Sequence, residues 1–189
     1  MMTLWPANKL LIKRLSSVNS TNETAINLIK NKEYFNWIIA DQQIDGRGRR
    51  GNTWSSPIGG LYATTFIGDA KLDYSHVSQL SILSAVVAAK TIEDVVGKNK
   101  IQLKWPNDVF LDEKKLCKVL LESVFIEDKF YLIFGFGINV RYTHDRNEAF
   151  FSYLQEVQKN VTVEEGLNKL IINFNKMINI WNYGESFTY

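Results

Sequence analysis

Residues 101–140 read IQLKWPNDVFLDEKKLCKVLLESVFIEDKFYLIFGFGINV, and this stretch decides the fold class. Apolar runs rich in β-branched and aromatic residues, at 101–104, 109–111, 116–124 and 130–140, alternate with a Trp105-Pro106-Asn107 turn and with charged turns at 112–114 and 127–129. The succession predicts an antiparallel meander of short strands. Cys117, in the third run, is expected to be a small packed thiol.

Upstream, Ser20-Thr21-Asn22-Glu23 has the capping-box spacing and is followed by Ala25, Ile26, Leu28 and Ile29 at helical intervals, so a helix is expected from about Thr21. Residues 35–40 (FNWIIA) and 60–67 (GLYATTFI) have strand character. Between them, over 42–57, apolar periodicity disappears and a long loop is expected, of the kind that is usually functional or mobile. Ser75 opens a mostly buried helix through Val77, Leu80, Leu83, Ala85, Val87 and Ala88 that should stop at Gly97. Thr162 and Glu165 repeat the capping-box spacing ahead of Leu167, Leu170, Ile171, Phe174, Met177, Ile178 and Trp181, an amphipathic helix. Helices and strands are grouped rather than alternating, which makes the class α+β with a mixed, largely antiparallel sheet packed with helices.

The 189 residues show no repeat or linker and are read as a single domain, 1–189. With 46% hydrophobic and 22% charged residues the chain is globular, and a net charge of +2 implies no polyanion partner, so a positive site must be local. A lone cysteine excludes an internal disulfide framework and a multi-thiolate zinc site, and it fits a reducing compartment. No apolar run reaches membrane-span length and no signal-peptide profile is present, so a cytoplasmic protein without membrane contact is expected.

Three clusters carry possible chemistry. Gly46-Arg47-Gly48-Arg49-Arg50-Gly51 combines backbone freedom with guanidinium groups, and its mutually repelling arginines suit an anion. A solvated basic loop, or an Arg-Gly stretch touching nucleic acid, is the alternative. Lys104-Trp105-Pro106-Asn107-Asp108 with Lys114-Lys115 suits a nucleotide and its Mg²⁺, Asp108 or Asn107 supplying oxygen. The alternative is a tight turn with solvated lysines. Gly135 and Gly137 allow close approach of a ligand or backbone, or mark a bulge. His76 and His144 have no nucleophile at an informative spacing, and no Walker pattern is present.

Taken in order, Ser20-Thr21-Asn22, Gln43, the arginine loop, Trp54, Leu61-Tyr62, Lys104-Trp105-Pro106-Asn107-Asp108, Lys115-Leu116 and Gly137-Ile138-Asn139 resemble the catalytic domain of biotin protein ligases, over roughly residues 11–140. The resemblance implies a class II synthetase-like fold and a two-step reaction. Biotin and ATP give biotinyl-5′-AMP and pyrophosphate, then a lysine of a biotin carboxyl carrier domain takes the biotinyl group. It implies Lys115, Arg47 and Arg49 as catalytic residues, and biotin contacts from Ser20, Thr21, Asn22, Gln43, Gly46, Arg47, Gly48, Arg49 and Lys115. Arg50, Trp54, Lys104, Asn107, Asp108 and Asn139 fall on the nucleotide side, with Asp108 the candidate Mg²⁺ ligand.

Departures from the family pattern qualify this transfer. Lys118 stands where the family usually has glycine; strand alternation sets it opposite Lys115, which favours its turning away from the pocket. Asp45 replaces a small residue and is a candidate partner for an arginine of the empty loop. The helix at Ser20 comes too early for a winged helix-turn-helix domain before it, so no DNA-binding function is expected, and an SH3-like C-terminal domain is not expected either. Rival readings are a lipoate or octanoyl transferase relative, whose signatures are missing, a degenerate protein that binds biotin or its adenylate without transfer, and a small nucleic-acid binder. A monomer or a homodimer is compatible with the sequence.

Overall fold

A computed structural model describes residues 10–69, 75–97, 101–141 and 150–184. His144 lies outside the described residues. The elements, in chain order, are β1 (Ile12–Val18), α1 (Thr21–Lys30), β2 (Trp37–Gln43), β3 (Leu61–Asp69), α2 (Ser75–Val96), β4 (Ile101–Lys104), β5 (Asp108–Leu111), β6 (Lys114–Ile126), β7 (Lys129–Ile138) and α3 (Val163–Gly184). The strands form one seven-stranded sheet in the order β1-β2-β3-β7-β6-β5-β4. Only β1 and β2 are parallel, joined through α1; every other neighbouring pair is antiparallel. The expected class and meander are therefore present.

β5 and β6 are joined by a two-residue turn in which Asp112 and Glu113 both have positive φ (47° and 67°), the backbone twist that suits a tight hairpin. β1 was not legible in sequence. Its residues, IKRLSSV, are mostly exposed or half-buried and show neither an apolar run nor clean alternation. Pairing with the buried β2, Ile12 opposite Trp37, recruits it at the sheet edge.

Alternation along the strands sends side chains to two different covers. Trp37, Ile39, Leu132, Phe134, Phe136 and Ile138 join the core beneath α2 and α3. Phe174 of α3, 1% exposed, meets Phe134 edge-on at 5.1 Å and Trp37 at 5.5 Å. Truncating so enclosed an aromatic ring costs about 3–5 kcal/mol. On the opposite face Ile38, Phe66, Tyr131 and Ile133 pack against Ala25, Leu28 and Ile29 of α1. Further along β7 on this second face come Gly135 and Gly137. The apolar contact stops where side chains stop, and a groove opens. Neither glycine marks a bulge: both sit in regular ladders with β3 and β6.

Cys117 is fully buried in the first core, as expected, and burial raises its thiol far above the ordinary range. The helix starts differ from each other. Thr162 Oγ1 accepts the Glu165 N–H at 3.1 Å, as a capping box requires. Ser20 occupies the N-cap position of α1 without a side-chain cap bond. Its hydroxyl is left to the groove, which corrects the capping-box reading there.

Candidate active site

The groove is walled by Ser20, Thr21 and Asn22 at the start of α1, by Gln43 at the end of β2, and by Arg47, Trp54, Lys118, Leu120, Gly135, Phe136 and Gly137. It has room for only about 20 Å³ of solvent, roughly one water molecule. The Thr21 N–H and hydroxyl both reach Gln43 Oε1, at 2.9 and 3.1 Å, and Gln43 Nε2 donates to Ser56 Oγ at 2.8 Å. Gln43 therefore has its amide orientation fixed from both ends. The Thr64 hydroxyl, fully buried, lies 2.8 Å from Thr21 Oγ1 and 2.7 Å from Asn22 Oδ1. Gly135 leaves room for the Asn22 side chain and Gly137 for the Trp54 ring; a methyl at either position would collide with these groups.

Residues 42–57 are not structureless. Gln43 bridges Ser56 and Arg47 bridges Thr53, so the segment folds back as a narrow hairpin, tipped by a 3-10 turn at Arg49–Gly51. Gly46 is required at its base, because a Cβ would strike the Trp54 carbonyl and the Ser56 hydroxyl. Arg50 adopts the left-handed region, φ 55°, and both Arg49 and Arg50 are exposed. The hairpin borders an open cavity of about 530 Å³ shared with Leu120 and Glu122. Glu122, not Asp45, is the counter-ion of the loop. Its Oε2 accepts from Arg47 Nη2 at 3.1 Å and from Asn22 Nδ2 at 2.7 Å, whereas Asp45 forms no ion pair among the described residues.

Lys115 Nζ is bonded to Asp108 Oδ2 at 2.5 Å, both side chains about four-fifths buried, and stands 5.5 Å from the Trp54 ring. Asp108 Oδ1 is buried without a hydrogen-bond partner among the described residues. The Lys115 backbone is clamped, its N–H to Phe150 O at 2.9 Å and its carbonyl to the Ser152 N–H at 3.0 Å. Asn139 Nδ2 lies 3.3 and 3.1 Å from the Lys115 and Ser152 carbonyls, and Asn107 Nδ2 donates to Val119 O at 2.6 Å. Both asparagines thus brace β6 around Lys115. Lys104 is exposed at the sheet edge, its ammonium 5.3 Å from the Phe110 ring. Trp54 is 6% exposed and packs edge-on to Phe151, so it must leave that packing before it can cover a base.

Lys118 does not turn away. The β5–β6 register runs Val109 to Cys117 and then Phe110 to Lys115, so Leu116 is an extra residue on β6. This bulge sends Leu116 and Cys117 together into the core and returns Lys115 and Lys118 to one face. Lys118 pairs with Gly137 across the ladder, and its ammonium lies against Gly48. Burial, then the nearby Lys115 and Arg49 charges, outweigh Asp108 and hold its pKa below the ordinary lysine value.

The sequence reading missed Glu122, Thr64 and Ser56. Glu122 carried a signal: a carboxylate inside an apolar strand run, two and four residues from Leu120 and Lys118 on one face. Thr64 and Ser56 carried none, since small hydroxyl residues are unremarkable in a strand or a loop.

Ser20, Thr21, Asn22 and Gln43 thus line a narrow pocket with Arg47 and Lys118 in its wall, and the Lys115 ammonium stands 5.5 Å from the ring of Trp54, another wall residue. The chain belongs to the biotin/lipoate A/B protein ligase family, whose model matches residues 11–139. The bifunctional ligase/repressor BirA of Bacillus spizizenii is 33% identical over 151 residues, 79% of this chain and 45% of that protein. The biotin--[acetyl-CoA-carboxylase] ligase of Paracoccus denitrificans is 34% identical over 110 residues, 58% of this chain and 45% of that protein. The chain thus spans under half the length of these curated relatives. Among solved structures, the Aquifex aeolicus biotin protein ligase in complex with biotin and ATP superposes with a TM-score of 0.72 at 30% identity, covering 89% of this chain and 70% of that one.

Proposed function

We propose that this chain is the catalytic domain of an ATP-dependent biotin protein ligase that forms biotinyl-5′-AMP and passes the biotinyl group to a lysine of a biotin carboxyl carrier domain. What supports this reading above all is the narrow pocket whose wall residue Trp54 lies 5.5 Å from the ammonium of the Lys115–Asp108 pair. Ser20, Thr21, Asn22 and Gln43 are suited to the polar head of biotin, held at fixed angles by Thr64 and Ser56. The first step brings a carboxylate against a phosphate, and its cost is the repulsion of two anions. Lys115, Arg47 and Arg49 supply positive charge where negative charge accumulates. The carboxylate oxygen forms a bond to the α-phosphorus and pyrophosphate leaves. In the second step the acceptor amine attacks the acyl carbon, AMP departs, and the amine proton is released.

Arg50, Lys104 and Trp54 belong to the nucleotide side, with Asn107 and Asn139 acting through the backbone they brace. The buried Asp108 Oδ1, without a hydrogen-bond partner among the described residues, fits Mg²⁺, which takes one or two carboxylates together with substrate phosphates. When bound there it would neutralise phosphate charge. The 42–57 hairpin is the natural cover for an easily hydrolysed mixed anhydride. The lone buried cysteine is in keeping with a reducing cytoplasm, and no helix among the described residues is long and apolar enough to cross a membrane.

Lys118 inside the pocket favours a second reading, in which the acid or its adenylate is held without transfer. Incubation with biotin, Mg-ATP and a carrier domain separates the two readings. Pyrophosphate release with carrier labelling establishes the ligase; pyrophosphate alone establishes adenylation without transfer. Absence of both, with no thermal shift from biotin, rejects the proposal.

A further inference from the structure

Lys118 is an ammonium in an unusual position. It is half-buried, donates no hydrogen bond and forms no ion pair among the described residues, and it lines the same narrow pocket as Thr21, Gln43 and Arg47. Its surroundings do not neutralise it. Arg49 and Lys115 share its field, and the one carboxylate that opposes them, Asp108, is already bonded to Lys115 at 2.5 Å. The other carboxylate of the site, Glu122, is bonded to Arg47 and Asn22. Removing an ammonium from water without a partner is costly, and the cost falls once an anion arrives.

We propose that Lys118 is a substrate-binding residue that grips the carboxylate of the acid substrate, a contact that glycine at this position cannot make. This rests on the ligase reading above. The geometry favours the acid rather than the nucleotide. The side chain rises from β6 opposite Gly137, inside the pocket suited to the biotin head, and its ammonium ends beside Gly48 near Lys115. An acid seated with its head against Thr21 and Gln43 directs its carboxylate to that end. The little free space in the pocket means that the four-carbon stem swings aside as the acid enters, carrying the charge toward the carboxylate.

Because the contact is to a charge, it discriminates between biotin and its neutral primary amide. Titration calorimetry of the whole chain with each compound, without ATP, reads that preference directly, and pyrophosphate release with Mg-ATP is followed in parallel. In Lys118→Met, which keeps the stem length, the preference for acid over amide should fall roughly 10- to 100-fold, the range of a charge-assisted hydrogen bond. Amide affinity should be maintained or improved. Lys118→Gly, which also empties the space, should lose the same preference. If either variant binds and retains the wild-type acid-to-amide ratio, or if acid and amide weaken equally, the proposal is overturned while wild-type pyrophosphate release leaves the ligase reading intact. If the wild type binds neither compound and releases no pyrophosphate, both fall.

Discussion

Lys115 and Lys118 stand on the same face of β6, although three positions along a regular strand would set them on opposite faces. The extra residue is Leu116, and the bulge buries it beside Cys117 in the core. One backbone irregularity thus brings two ammonium groups to one site, with Asp108 between them in charge.

Lys115 is the residue on which adenylation should depend most. Lys115→Ala is expected to lower pyrophosphate release at least 100-fold, the scale of losing one charge-stabilising donor in a water-poor site. It also leaves Asp108 buried without its cation, so the variant should unfold about 1–3 kcal/mol more easily. Asp108→Asn in addition should restore part of that stability and none of the activity, as measured by urea denaturation and pyrophosphate assay.

Thr64 is expected to act on the pocket through Thr21 and Asn22. Thr64→Val keeps the shape and removes the hydroxyl, leaving buried partners unsatisfied at a cost of about 1–3 kcal/mol. KM for biotin should rise while KM for ATP stays near the wild-type value, and Thr64→Ser should recover both stability and KM. An equal rise in both KM values would contradict a role confined to the acid pocket.

Gly137→Ala tests the floor of the site. The added methyl meets the Trp54 ring, which also carries the Lys115 ammonium 5.5 Å away. Displacement of the indole should change tryptophan fluorescence and cost about 1–3 kcal/mol of overpacking. Adenylation should fall further than biotin affinity, because the Lys115 side is disturbed more than the head pocket.

The legible and illegible parts divide along physical lines. Strands of the meander announced themselves because each is an apolar run closed by turn residues, and α3 because its apolar stripe keeps helical period. β1 was invisible because an edge strand exposes most of its side chains and owes its conformation to a partner far along the chain. Composition and order single out the arginine loop and Lys115 as candidates. Lys118 was placed on the wrong face because alternation counts residues, and a bulge adds one without any change in residue type. Glu122 was passed over as the partner of Arg47 because 75 residues separate them, and Asp45, nearer in sequence, looked the better choice. Local charge patterning is a poor guide once a sheet brings distant strands together.

Cys117 should be chemically silent. It is fully buried, and its raised pKa leaves essentially no thiolate at neutral pH. A disulfide-exchange reagent should titrate no thiol in the native chain and one in denaturant. Fast labelling of the native protein would mean that the β6 core opens readily.

The pH dependence of stability in the empty protein should carry the mark of Lys118. Its folded pKa lies below the ordinary value of 10.5, chiefly through burial and then through Lys115 and Arg49, with Asp108 opposing. Between the folded pKa and 10.5 the unfolded chain therefore binds more protons than the folded one, so this residue makes stability rise with pH through that window. Below the folded pKa, neutral pH included, the penalty of the buried charge is present in full. Lys118→Met removes it. The variant should have a higher Tm than the wild type at neutral pH, and the gap should narrow as the pH is raised toward 10.5. Saturating biotin should reverse the order at neutral pH, because the carboxylate then partners the ammonium in the wild type alone. Thermal denaturation across pH, with and without biotin, checks both signs. A wild type more stable than the variant in the absence of ligand would show that the Lys118 charge is already satisfied within the fold.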